Sequence, residues 1–294
     1  MTELHQALSA RVAAWRESGY ESDRFPAIRE ILGFAFEDDE ARQLRYLGAA
    51  QFRALETYWY LRIVEGTPHI ADLYVRCFDR VTERLTALGL TAQELRGLAT
   101  DAGYDGLVER VRTDDDLGKR HRLDALRETL SLDYPSWILA LAMGSGKTVL
   151  IGAIIATEFA MALEYPDAAD EDHPFIENAL VFAPGTTILE ALQEQSRVPF
   201  DRILPPRLYE RFAPSHKITY TRDGERDIAV TRASRFNIVV TNTREDPDPG
   251  TDQTASASRR STRRPVRPRR RGGHRSRQPS PPVDRVAPPP GDLQ

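Results

Sequence analysis

The sequence predicts an α/β fold: a parallel sheet carrying a glycine-rich loop, preceded by a mostly helical region and followed by a segment with no core. Three observations lead there. The apolar run Trp137–Ala142, the glycines after it and the Ala/Ile-rich stretch Thr148–Leu163 read as strand, loop and helix. Two further apolar runs, Asn178–Ala183 and Phe236–Thr241, read as buried strands, with a helix expected between them. Strands alternating with helices imply a parallel sheet with right-handed crossovers.

The elements follow in order. Residues 1–20 place Leu4, Leu8, Val12 and Trp15 at helical spacing. Residues 40–64 form an aromatic-rich second helical stretch. Residues 70–130 read as helical too, with breaks near Gly89 and Gly103. The texture changes at Tyr134-Pro135, where the sheet region begins. Thr187–Ser196 reads as a helix, and Lys217–Tyr220 and Asp227–Val230 as shorter strands. The expected division is therefore a helical region over 1–133, a sheet region over 134–243 and a tail over 244–294. No internal repeat is visible.

Charge separates the tail from the rest. The net charge of −4 combines a tail of twelve arginines, six acidic residues and no lysine, at +6, with −10 for the remainder. The tail also holds ten of the twenty prolines and no Phe, Trp or Tyr, so it is expected to be disordered, lacking the apolar surface that would offset ordering. No apolar run approaches the roughly 18 residues of a membrane span. The start Met1-Thr-Glu-Leu-His-Gln lacks the character of a signal peptide. The single cysteine, Cys77, suits a reducing cytoplasm and reads as a packed, inert thiol. The six histidines are scattered without paired ligand spacing, so no metal site is expected from them.

Chemistry concentrates at Met143-Gly-Ser-Gly-Lys-Thr148, between the first expected strand and the helix after it. Glycines let backbone N–H groups turn towards phosphate oxygens without a Cβ clash. The helix start adds the positive end of its dipole. Lys147 would neutralise the terminal phosphates of ATP, and Thr148 would offer its hydroxyl to Mg²⁺. Gly144, Ser145 and Gly146 would supply the cradle. The general phosphate-loop pattern asks for glycine at the position of Leu141.

The run Ala142-Met-Gly-Ser-Gly-Lys-Thr148 resembles motif I of superfamily 2 helicases of the DEAD/DEAH-box-like kind. The group it is most similar to is the restriction (ATPase) subunit of type III restriction enzymes and relatives with a helicase/UvrB N-terminal domain. The resemblance covers residues 135–243 and implies an incomplete first lobe of a RecA-like, P-loop ATPase. It implies ATP and Mg²⁺ as ligands, nucleic acid (duplex DNA in this group) as partner, a modification methyltransferase subunit as a second partner, and a cytoplasmic setting. Val181–Glu190 is similar to motif Ia, in which Thr186 and Thr187 would touch the nucleic-acid backbone. The alternative there is an ordinary strand–turn–helix with Thr187 as N-cap. Gln51, in Leu44–Gln51, resembles the adenine-reading glutamine ahead of motif I. Its alternative is a surface glutamine on a helix.

Asp170-Glu-Asp-His173 spells the Asp-Glu-x-His of motif II, but a polar stretch precedes it, and it reads as a solvated acidic loop. No other such motif follows the later strands, so full hydrolytic activity is not expected of this chain. A single inserted nucleotide after Thr243 is compatible with the tail. One permitted back-translation of Arg244–Gly250, shifted by one base, reads Glu-Lys-Ile-Arg-Ile-Arg, a family-like continuation. The alternative is a native basic arm that binds nucleic acid electrostatically. Two other readings of the whole stay open: a non-enzymatic nucleotide-binding fragment of a disrupted gene, and a P-loop ATPase unrelated to helicases.

Overall fold

The structure, a computed structural model, describes residues 3–38, 43–132, 134–170, 173–184, 198–220 and 234–243. The expected helix Thr187–Ser196, the expected strand Asp227–Val230, and residues 244–294 lie outside the described residues.

The N-terminal periodicity produces α1 (Leu4–Glu17), which buries Leu8, Val12 and Trp15. A second helix, α2 (Ala27–Phe34), buries Ala27, Ile28, Ile31 and Leu32. The expected helix over 40–64 begins late. Gln43–Leu44 (β2) pairs antiparallel with Phe36–Asp38 (β1). The helix starts only after Gly48, where the Gln51 side chain accepts from the Gly48 N–H at 2.6 Å in the manner of a capping box. It runs as α3 (Ala49–Trp59) and widens into a π-helical turn over Tyr60–Val64.

The expected helical stretch 70–130 is five helices: α4 (Ile70–Cys77), α5 (Val81–Ala87), α6 (Gln93–Thr113), α7 (Asp115–His121) and α8 (Asp124–Leu130). Gly89 and Gly103 both take φ of +76°, so both expected breaks coincide with left-handed glycines. Further breaks come from residues the hydrophobic pattern does not flag. Asp114 caps α7 by accepting from Leu117 N at 3.0 Å, and Arg122 ends it at φ +56°.

The sheet is parallel. Its strands are β3 (Asn178–Pro184), β4 (His216–Tyr220) and β5 (Phe236–Thr243), in the order β3-β5-β4. The long helix α9 (Lys147–Glu164) packs on one face, with Phe159 5.2 Å from Phe236, and α10 (Pro206–Phe212) packs beside it. Alternation along β5 sends Phe236, Ile238 and Val240 into that core. Along β3 it leaves Leu180 and Phe182 exposed on the other face.

One expectation is corrected here. Trp137–Ala142 is not a strand: it pairs with none of the strands of the described sheet, and Ile138 is 92% exposed. Apolar composition confers the capacity for burial in a sheet, but a strand also needs a neighbouring backbone to bond. Only its ends are anchored, Trp137 edge-on against Tyr58 at 5.2 Å and Leu141 against the main core.

The main core draws on both sides of the expected boundary at 133/134. It joins α1–α4 with α9 and the sheet, while Leu85–Leu130 contribute a separate helical cluster. Helix α9 is the hub, and it buries a carboxylate at its centre. Glu158 has no exposure and meets Tyr58 Oη at 2.6 Å, Arg62 Nε at 2.8 Å and the Ile176 N–H at 2.9 Å. Arg62 reaches on to the carbonyl of Pro174 at 3.0 Å. Glu56 is likewise fully buried between Arg16 and Tyr20. Burial, then the adjacent Glu158, pushes the Tyr58 hydroxyl well above the ordinary tyrosine range, and burial with Glu56 does the same to Tyr20.

Replacing Glu158 by Ala strands the Arg62 guanidinium, whose side chain is 8% exposed. The expected loss of folding stability in chemical denaturation is about 3–5 kcal/mol. Arg207→Ala, which removes exposed pairs with Glu30 and Glu164, is expected to cost under about 1 kcal/mol. The tyrosines add a pH dependence. A raised folded-state pKa contributes stability that is complete below the unfolded value of 10.0 and is lost as pH rises beyond it. Denaturation curves taken above pH 10 should therefore decline less steeply for Tyr58→Phe than for the wild type.

Candidate functional site

The glycine-rich loop is a tight turn feeding a helix. Ala142 O accepts the Ser145 N–H at 3.3 Å and the Ser145 hydroxyl at 2.7 Å. Gly144, third in that turn, has φ of +74°, the backbone a type II turn requires at this position. Gly146 is also left-handed, with φ 74° and ψ 45°, and is the N-cap of α9.

Lys147 and Thr148 occupy the first turn of this 18-residue helix, which has no acidic residue in its first turn. The N–H groups of Lys147, Thr148 and Val149 meet no backbone acceptor among the described residues, as expected of a helix start. The Lys147 side chain is exposed and has no ion-pair partner among the described residues. Thr148 is half-buried, and no hydrogen bond engages its hydroxyl among the described residues. The arrangement suits an anion: orphan donors, the positive end of a helix dipole and an exposed lysine share the first turn of α9.

Gln51 belongs to this place. The surface alternative is corrected: Gln51 is only 8% exposed, and its Nε2 donates to Gly146 O at 2.8 Å. The reason is tertiary. Helices α3 and α9 pack side by side in the same sense, joined by Gln51 to Gly146 at one end and by Trp59 to Thr157 and Tyr58 to Glu158 further along. Both N-termini therefore end at the loop. The connection crosses 95 residues, and no local pattern announces it. The only sequence hint is the capping geometry of a glycine followed three residues later by glutamine.

Other expected positions separate. Thr186 and Thr187 lie outside the described residues. In Asp170-Glu-Asp-His173, residues 171–172 also lie outside them. The flanking 3-10 helix Pro166–Asp170 follows the C-terminal end of α9, about 25 Å along the helix from Lys147 at 1.5 Å per residue. Cys77 is half-buried, and burial raises its thiol pKa, which disfavours the thiolate. No group of three or more His, Cys, Asp or Glu is placed to hold a metal among the described residues. No helix among them is long and apolar enough to cross a membrane.

Comparison of the chain with protein-family models, with curated proteins and with solved structures finds no significant match.

The two loop glycines make a contrast. A Cβ at position 144 would meet nothing within 4 Å, whereas one at 146 would come within 2.3 Å of Gln51 Nε2. Both substitutions carry the left-handed strain of about 1–2 kcal/mol. Gly146→Ala is expected to destabilise more than Gly144→Ala. That excess should vanish in a Gln51→Ala background, as read by a double-mutant cycle in denaturant.

Proposed function

We propose that this chain is the ATP-binding part of an ATP-dependent helicase or translocase acting on nucleic acid, similar to the ATPase subunits of type III restriction enzymes. The observation that carries the reading is the loop itself. A glycine turn delivers Lys147 and Thr148 to the start of a long helix whose first N–H groups await an acceptor. In this reading the small parallel sheet and α9 are part of a RecA-like first lobe. The backbone of Gly144–Thr148 cradles the phosphates, and Lys147 neutralises the terminal ones. The Thr148 hydroxyl fits a place on hydrated Mg²⁺, which would supply charge neutralisation when bound. Duplex DNA is the expected track, a methyltransferase subunit an expected partner and the cytoplasm the expected setting.

Turnover asks for more than binding. Phosphoryl transfer needs charge stabilisation from several directions, and Lys147 and Thr148 supply one of them. A second reading, a nucleotide-binding module without turnover, is favoured by the uncovered apolar positions Ile138, Leu180 and Phe182. Leu180 and Phe182 are strand residues that a doubly covered parallel sheet would bury, while Ile138 lies in the unpaired run before the loop.

Both readings share one test. Lys147→Ala should weaken binding of a fluorescent ATP analogue by about tenfold or more, the size of a lost charge-assisted contact. Equal affinity would remove the phosphate-loop assignment. DNA-stimulated phosphate release by residues 1–294 then tests for turnover, which neither reading expects of the loop alone. The expected result is a rate no higher than that of Lys147→Ala. Robust release abolished by both Lys147→Ala and Glu171→Gln would instead assign the acidic segment a catalytic part.

A further inference from the structure

We infer that Gln51 is a positioning residue for the phosphate loop, holding the peptide between Gly146 and Lys147 in its phosphate-facing orientation without reading the nucleotide base. The inference rests on the phosphate-loop reading above and departs from the adenine-reading role that the resemblance implies.

The amide orientation follows from its partners. The Gly48 N–H can only donate, so Oε1 must face it, at 2.6 Å. The Gly146 carbonyl can only accept, so Nε2 must face it, at 2.8 Å. Each end of the amide is therefore engaged by the N-cap backbone of a different helix. With 8% exposure, the side chain has little room to leave. A glutamine that reads adenine presents its donor and acceptor together to the base edge. Here both ends already serve backbone.

The consequence for the loop comes from peptide planarity. The Gly146 carbonyl accepts from Leu150 N at 3.2 Å and from Gln51 Nε2, so its direction is held twice. The C=O of one residue and the N–H of the next share a rigid plane and point in opposite directions. Fixing the Gly146 carbonyl thus fixes the Lys147 N–H, one of the donors left for phosphate. Gly146 needs such a hold because its left-handed backbone, φ 74°, belongs to the residue with the widest conformational freedom. The donors are set before the anion arrives, so less ordering is charged against binding.

The test uses the full chain and measures dissociation constants for ATP, GTP and inorganic tripolyphosphate by competition against a fluorescent ATP analogue. Gln51→Met keeps the length and packing but removes both hydrogen bonds. Gln51→Glu keeps the acceptor for Gly48 and turns a carboxylate oxygen towards the Gly146 carbonyl. Gln51→Met is expected to weaken all three ligands by one common factor of about three to ten, the size of one or two lost hydrogen bonds. Gln51→Glu should weaken them further, again in common. The bound fraction at saturation should stay complete in both variants. A loss confined to ATP would make Gln51 a base reader and overturn the inference. So would a reduced bound fraction with unchanged dissociation constants, which is the signature of a merely structural role. Unchanged affinities in both Gln51 variants, with Lys147→Ala still impaired, would overturn this inference alone. Unchanged affinity in Lys147→Ala would remove the phosphate-loop reading and this inference with it.

Discussion

A carboxylate buried in the middle of helix α9 sets the terms for the rest of the structure. Glu158 is out of contact with water and must be compensated inside the protein. Tyr58 and Arg62, four residues apart across the start of a π-helical turn, both end on the same oxygen. The backbone of Ile176, leading into β3, donates to the other, as does Arg62 Nη2 at 3.2 Å. A single side chain thus fastens helix α3, helix α9 and the approach to the sheet to one another. Trp59, fully buried, adds a hydrogen bond to Thr157 one residue away. An apolar residue at 158 of similar volume would fill space, but it would not select the rotation of α3 about its own axis. The directional bonds of a carboxylate do.

That rotation decides where α3 begins. With Tyr58 and Trp59 fixed against α9, Gln51 lies two turns back along α3, level with the first residues of α9. The glutamine that caps α3 at Gly48 can then also bond Gly146. The loop is held from the outside by a helix of the N-terminal region and from within by the Ala142–Ser145 turn. Those supports leave the exposed Lys147 and the half-buried Thr148 as the adaptable parts. This division suits the proposed site, which would offer a fixed set of backbone donors and an exposed cation to a polyanion.

The opposite side of the sheet is built differently. The face on α9 is closed by aromatic packing of Phe159, Phe200, Phe212 and Phe236, with Gly152 admitting Val198 and Phe200 close to the helix. On the other face Leu180 and Phe182 stand exposed. The residues leading into the loop, Trp137–Ala142, are apolar and unpaired by the described strands. The glycine-rich loop is therefore positioned from the helix side, through α9 and α3, with no strand beneath it among the described residues.

The sequence by itself determined the local features. The Gly-Ser-Gly-Lys-Thr run placed a left-handed turn and a helix start at residues 144–148, because only glycine takes that backbone cheaply and the Ala/Ile-rich stretch has one face after another to bury. The runs at 178–184 and 236–243 became parallel strands, and Gly89 and Gly103 broke their helices, for equally local reasons. Tertiary structure decided what depends on a neighbour. Trp137–Ala142 has a strand's composition but lacks a paired backbone among the described residues. Residues 43–48 sit in a helical-looking stretch but pair with β1 and then cap α3. Gln51, read from the sequence either as a base-reading glutamine by resemblance or as a surface residue, is a buried bridge to a loop 95 positions away. Periodicity records which side of an element wants to be buried. It carries no record of which other element will be there, and hydrogen bonds across a fold exist only once that is settled.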